Sequence, residues 1–217
     1  MIEMTGEQFV CKILQGERDL SGVEIPIGTD LSKIQGYAEM NDYLKRQALD
    51  KSPIILKYSN LEGVRASNLW LPHTLATGVQ LYRARLERVN FKGARLDGAN
   101  FLEAELFEAD FSGADLREAD LRCAYMGRAN IRGADLRRAS FYNATLKDTD
   151  LREADLRGST IWMAAHKTNA KYKGAIIDTF LNIMGVFAPR TLAKMIVREE
   201  ETKPKRATSK PRAKVSR

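Results

Sequence analysis

The chain has 217 residues, with 35 Lys+Arg against 28 Asp+Glu, a net charge of +7, and a mean hydropathy of −0.37. That length allows one large domain or two small ones, and no run of about 18 uncharged apolar residues is present to span a bilayer. Two distant cysteines, Cys11 and Cys123, exclude both a disulfide framework and a CxxC pair. The opening MIEMTGEQFV has neither the basic nor the apolar region of a secretory signal. A reducing cytoplasm is therefore the expected location.

Residues 1–53 read as an N-terminal helical cap. Thr5 with Gln8 three residues later forms a capping box, Phe9, Ile13 and Leu14 supply an apolar stripe, and Gly16 ends the helix. A second helix is predicted over 37–50, with Tyr37, Met40, Leu44 and Ala48 on one side.

From 54 to 165 the sequence repeats every five residues. In a helix, five residues advance the apolar position by about 500°, a net turn of roughly 140°, so no single face forms. In a continuous strand an odd step flips each apolar side chain to the opposite face. The period therefore demands a bend in every repeat, and a chain that bends the same way each time coils into a solenoid. Of the 22 centres from Leu56 to Ile161, only Ala66 and Ala76 are not Leu, Ile, Phe or Met. Two residues before each centre, the positions from Ala84 to Ala154 are Ala except Val89 and Thr149.

Comparison of residues twenty apart sets the coil size. Gly93, Gly113 and Gly133 align, Phe91 aligns with Phe111, and Arg83 and Arg85 align with Glu103 and Glu105. The series Arg88, Glu108, Arg128, Asp148 alternates in sign. Stacked coils about 4.8 Å apart would place these charges side by side, so each coil has four repeats and a square section.

The runs ANFLE, ADFSG, ADLRE, ADLRC, ANIRG, ADLRR and ADLRG resemble the pentapeptide-repeat family, whose consensus is A(D/N)LXX. The resemblance covers roughly half the chain and implies a right-handed quadrilateral parallel β-helix, an all-β fold, here with α-helical caps at both ends. The segment QGERDLSGVEI also resembles the partial first coil of some cyanobacterial members.

Residues 166–198 are expected to be helical. In GAIIDTFLNIMGVFA, Ile177, Phe180, Leu181, Met184 and Phe187 fall on one face, Pro189 breaks the helix, and Leu192, Met195 and Ile196 continue the pattern. Three roles are open: a cap over the last coil, a homodimer contact through 175–198, or a membrane-surface contact aided by Lys167, Lys171 and Lys173. Residues 199–217 form a basic tail expected to be disordered. Its Lys203, Lys205, Arg206, Lys210, Arg212, Lys214 and Arg217 suit non-specific contact with a polyanion such as nucleic acid, or serve only for solubility.

No catalytic, cofactor-binding or metal site is predicted, because His73 and His166 lack a nucleophile or a ligand spacing. Arg117, Arg137 and Arg157 form an outward stripe neutralised by Asp115, Asp135 and Asp155. A second outward column contains Tyr82, Leu102, Arg122, Tyr142 and Trp162, with Phe107 and Tyr125 on the neighbouring face. Such residues either meet a protein partner or pack beneath the ends. The leading expectation is a non-enzymatic scaffold for protein–protein interaction with a polyanion-binding tail. A nucleic-acid protein acting through the tail is the alternative. The family's DNA-mimicking action on gyrase is disfavoured, because it needs a strongly acidic face and residues 81–160 carry 14 basic against 14 acidic side chains.

Overall fold

The computed structural model describes residues 1–178 and 196–198. The chain opens with β1 (Ile2–Glu3), which lies parallel to β2 (Val23–Glu24), and between them runs α1 (Gly6–Leu14). The Thr5 hydroxyl accepts from the Gln8 amide, and the Gln8 side chain accepts from the Thr5 amide, which completes the capping box. Phe9, Val10 and Ile13 are buried, whereas Leu14 is exposed. The apolar stripe therefore runs through Val10, not Leu14. Gly16, at φ +91°, follows the helix in a left-handed conformation.

The first coil is interrupted after Asp30 by an insertion containing α2 (Tyr37–Lys45). This helix is shorter than the expected 37–50: the chain turns at Lys45, Leu49 goes into the core, and Ala48 is exposed. Asn41, buried on α2, accepts from the Trp70 backbone amide through its side chain. The inserted helix thus satisfies a donor that the missing strand leaves open.

From Ile55 onward, single parallel β-bridges join residues twenty apart, as in Ile55 to Leu75, Leu75 to Arg95 and Arg95 to Asp115. Four such ladders define four sides, passing through Ile55, Asn60, Arg65 and Trp70. Each centre turns its side chain inward, and all 22 from Leu56 to Ile161 are at most 7% exposed. The Ala positions between them are equally buried, and Thr149 fits there because its hydroxyl donates to the Met126 carbonyl. Phe91, Phe101 and Phe111 interlock: Phe91 stacks on Phe111 at 5.5 Å, and Phe101 meets Phe111 edge-on at 5.6 Å.

Every corner uses a left-handed residue. All twenty-one corners from Tyr58 to Gly158 have positive φ, and fourteen of them are not glycine. An L residue there costs about 1–2 kcal/mol, so the coil-to-coil hydrogen bonds must hold each corner in place. The Arg83 amide, for example, donates to the Leu102 carbonyl, and the Gly93 amide to the Ser112 carbonyl.

The coil extends further than expected. A turn at Ile161–Met163 takes up one extra residue, after which Thr145 bridges His166, Asp150 bridges Lys171 and Asp155 bridges Ile176. The predicted boundary at 165 is therefore passed, with Tyr172 and Ile177 in inward positions and buried. Ile177 and Ile196 lie in strands, not on a helix: β3 (Ile176–Asp178) pairs parallel with β4 (Ile196–Arg198). Stacking Ile176 on the Asp155 rung provides the hydrogen bonds that outweigh helical periodicity there. The rest of the predicted C-terminal helix, most of the dimer segment 175–198 and the tail lie outside the described residues. No helix among the described residues is long and apolar enough to cross a membrane.

Candidate functional site

The outer surface is built by the residues flanking each centre. At the position before the centre, Asp or Asn accepts the backbone amide two residues on: Ser112 donates to Asp110, Leu102 to Asn100 and Arg117 to Asp115. This local turn gives a physical reason for Asp and Asn in the repeat, one that the five-residue period alone does not reveal.

Where Arg follows two residues after Asp, the pair closes bidentately. Arg117 Nε and Nη2 donate to the two Asp115 oxygens at 2.7 and 2.6 Å, and Arg122, Arg137 and Arg157 do the same with Asp120, Asp135 and Asp155. Arg117 and Arg137 also approach the next Asp in the column, Asp135 and Asp155, at 3.8 and 3.9 Å. Burial alone would raise the Asp115 and Asp155 carboxyls, but hydrogen bonds from their arginines bring both below the ordinary value. This face therefore compensates itself, as the paired columns imply.

The predicted ladder across coils is present as far as Arg128, whereas Asp148, the last of the alternating series, accepts from the Asn169 side chain and forms no ion pair with Arg128 among the described residues. Arg83 Nε lies 2.7 Å from Glu103, Arg85 lies 3.2 Å from Glu105, and Glu108 sits between Arg88 and Arg128 at 3.1 Å each. Five acids, Asp97, Glu103, Glu105, Glu108 and Asp110, fall within one coil, and arginines of the adjoining coils cover three of them.

The aromatic residues are brought together only in part. Tyr142 is 56% exposed, Tyr125 46% and Trp162 38%. Tyr82 and Leu102 are half-buried, with the Arg83 guanidinium 4.7 Å above the Tyr82 ring, and charged Arg122 separates them from Tyr142. Phe107 lies over Gly127, where a Cβ would come within 3.3 Å of its ring, and stacks on Tyr125 at 6.0 Å. Phe107 and Tyr125 thus form a stacked pair on one side of the Cys123 corner, while exposed Tyr142 stands on the other side, so the aromatic residues make no continuous stripe. The missing glycine side chain at 127 is the signal that could have indicated the stacked pair.

Cys11 and Cys123 are exposed free thiols, and the Asn143 amide lies 3.8 Å from Cys123 Sγ. The His73 ring packs over Gly93. No group of three or more metal-ligating side chains occurs among the described residues.

A family model described as pentapeptide repeats matches residues 84–122 and 119–158, with eight copies. Residues 84–158 are pentapeptide repeats. Similar solved structures include a pentapeptide repeat protein from the Arabidopsis thaliana thylakoid lumen, at 28% identity and a TM-score of 0.33, covering 48% of this chain and 66% of that one. They also include QnrB1, a plasmid-mediated fluoroquinolone resistance protein, at 16% identity and a TM-score of 0.35, covering 76% and 80%. A third is HetL of Nostoc sp. strain PCC 7120, involved in heterocyst differentiation regulation, at 20% identity and a TM-score of 0.23, covering 80% and 97%. No curated protein matches the sequence. Scores this low lend the pentapeptide-repeat chain no function, so its own surface must supply one.

Proposed function

We propose that this pentapeptide-repeat chain is a rigid, non-enzymatic scaffold that binds a protein partner through the corner carrying Phe107, Tyr125 and Tyr142. The observation that carries the reading is the exposure of Tyr125 and Tyr142, beside a ring stacked to hold one of them in place. A pre-ordered aromatic loses little side-chain freedom on binding, so buried Tyr contacts are strong anchors. Tyr82, Leu102 and Trp162 extend the same surface at its margins. The basic residues from Lys203 to Arg217 then tether the assembly to a polyanion, and the two unpaired thiols suit a reducing cytoplasm.

The gyrase-directed, DNA-mimicking alternative needs an unbroken acidic face. Here the acids of the Glu105 coil are interleaved with arginines above and below, which favours the scaffold. The test uses Tyr125→Asp/Tyr142→Asp as immobilised bait beside the parent protein. A protein band retained by the parent and lost by the variant, at unchanged melting temperature, supports the corner. An identical set of retained proteins rejects it.

A further inference from the structure

One outward column differs from the rest. Two residues after the ladder Asn90, Asp110, Asn130, Asp150, Lys171 come Lys92, Ser112, Arg132, Arg152 and Lys173. Consecutive members sit on neighbouring coils, since the amides of Gly93, Gly113, Gly133 and Glu153 donate to the carbonyls of Ser112, Arg132, Arg152 and Lys173. Among the described residues it is the outward column that holds four cations and no acid. Four strand spacings make it about 19 Å long.

Its charge is only partly spent. Arg152 pairs with Asp150 in its own repeat, and Arg132 with Glu153 at 2.8 Å. Lys92 and Lys173 are exposed and have no ion pair among the described residues, nor has exposed Lys171 beside them. The corner next to the column is unobstructed: a Cβ built on Gly113 or Gly133 would meet nothing within 4 Å.

We propose that this column is a binding stripe for the sugar–phosphate backbone of a nucleic acid, laid along the coil axis. The proposal takes only its ligand class from the tether reading of the tail; the surface is new and belongs to the folded coil. A single file of cations at regular spacing complements a linear polyanion. At about 3.4 Å of axial rise per phosphate in one strand, 19 Å accommodates five or six phosphates. A membrane plane would instead meet the whole side, including Asp110 and Asp150, and gain less. The contact reads charge and not base sequence, so it is non-specific and steeply salt-dependent.

The test measures binding of the full-length chain to a fluorescein-labelled 20-bp duplex of random sequence by anisotropy, between 50 and 200 mM salt. Four proteins are compared: the parent, Lys92→Gln/Lys171→Gln/Lys173→Gln, a control Lys57→Gln/Arg65→Gln/Lys147→Gln on other columns, and a tail variant with all seven Lys and Arg from Lys203 to Arg217 changed to Gln. None of the six coil positions has an ion pair among the described residues, so equal melting temperatures are expected. The stripe variant should bind about tenfold or more weakly at 50 mM salt, with the salt slope reduced by about 2 to 3, while the control stays close to the parent. Stripe and control variants falling equally would show net charge alone and overturn the proposal, as would a stripe variant that binds like the parent. A parent that ignores the duplex but binds phosphatidylserine vesicles would overturn it too. Loss in the tail variant alone would sink the stripe and leave the tether standing; loss in the stripe variant alone would do the reverse.

Discussion

Phe111→Ala offers the most direct test of what holds the coil together. The side chain is fully buried, stacked on Phe91 at 5.5 Å and meeting Phe101 edge-on at 5.6 Å. Truncation removes most of a buried ring and leaves a cavity that neighbouring coils cannot close, because their backbones are hydrogen-bonded to one another at fixed spacing. Large-to-small changes of this kind cost about 3–5 kcal/mol. Loss of the two ring contacts adds about 0.5–1.5 kcal/mol for each aromatic pair beyond area alone, so the upper end of the range is expected here. Against a typical total of about 5–15 kcal/mol this is a large fraction. Urea unfolding followed by circular dichroism would measure it, with Tyr142→Ala as an exposed control that should stay within about 0.5 kcal/mol of the parent. Because each coil contacts only its neighbours, the weakened middle should also lower the cooperativity of unfolding. A Phe111→Ala loss under about 1 kcal/mol, with an unchanged slope, would refute the view that the Phe ladder is the central packing element.

Two further outcomes follow from polar groups. The Thr74 hydroxyl is buried without a hydrogen-bond partner among the described residues, unlike that of Ser59, which donates to the Leu20 carbonyl. Thr74→Val should therefore stabilise the chain by about 1 kcal/mol and raise Tm by about 2–4 °C; a lower Tm would mean the hydroxyl does have a partner. Asp115, Asp120 and Asp155 are each held below the ordinary carboxylate value, burial opposing and Arg hydrogen bonds prevailing, and Asp150 is lowered chiefly by Arg152. Depressed folded-state values mean stability present above about pH 4 and lost as pH falls through the folded values. Tm should be flat from pH 7 to 5 and drop below 4; a decline beginning near pH 6 would point to other groups.

Much of the coil was legible because a rigid repeat writes its geometry into spacing. The step of twenty that aligned Arg83 with Glu103 and Phe91 with Phe111 is the step of the hydrogen-bond ladder itself. Local signals served less well where the chain had a competing partner. Ile177 follows a helical pattern in sequence, yet the Asp155 rung offers open hydrogen-bonding groups and β3 takes them. The aromatic surface was only half legible: a column of residues twenty apart states which side chains are neighbours, but not that Phe107 folds over Gly127 onto Tyr125 from a different column. The cation column was legible in full but hidden, since Arg132 and Arg152 sit in Arg-rich stretches whose other arginines, Arg128, Arg137, Arg138 and Arg157, are paired.

The twenty-residue ladder also makes the length of this molecule a discrete quantity. A segment such as 95–114 can be removed or duplicated without breaking the backbone register, whereas any other number forces an adjustment of the kind made at Ile161–Met163, where one surplus residue is absorbed in a tight turn. Side chains impose a stricter rule than the backbone. Deleting 95–114 would bring Arg88 against Arg128 and discard the glutamates that now separate basic coils. The hydrogen bonds count in ones, the charges in twos, and a change of length that respects both must add or remove coils in pairs across this belt.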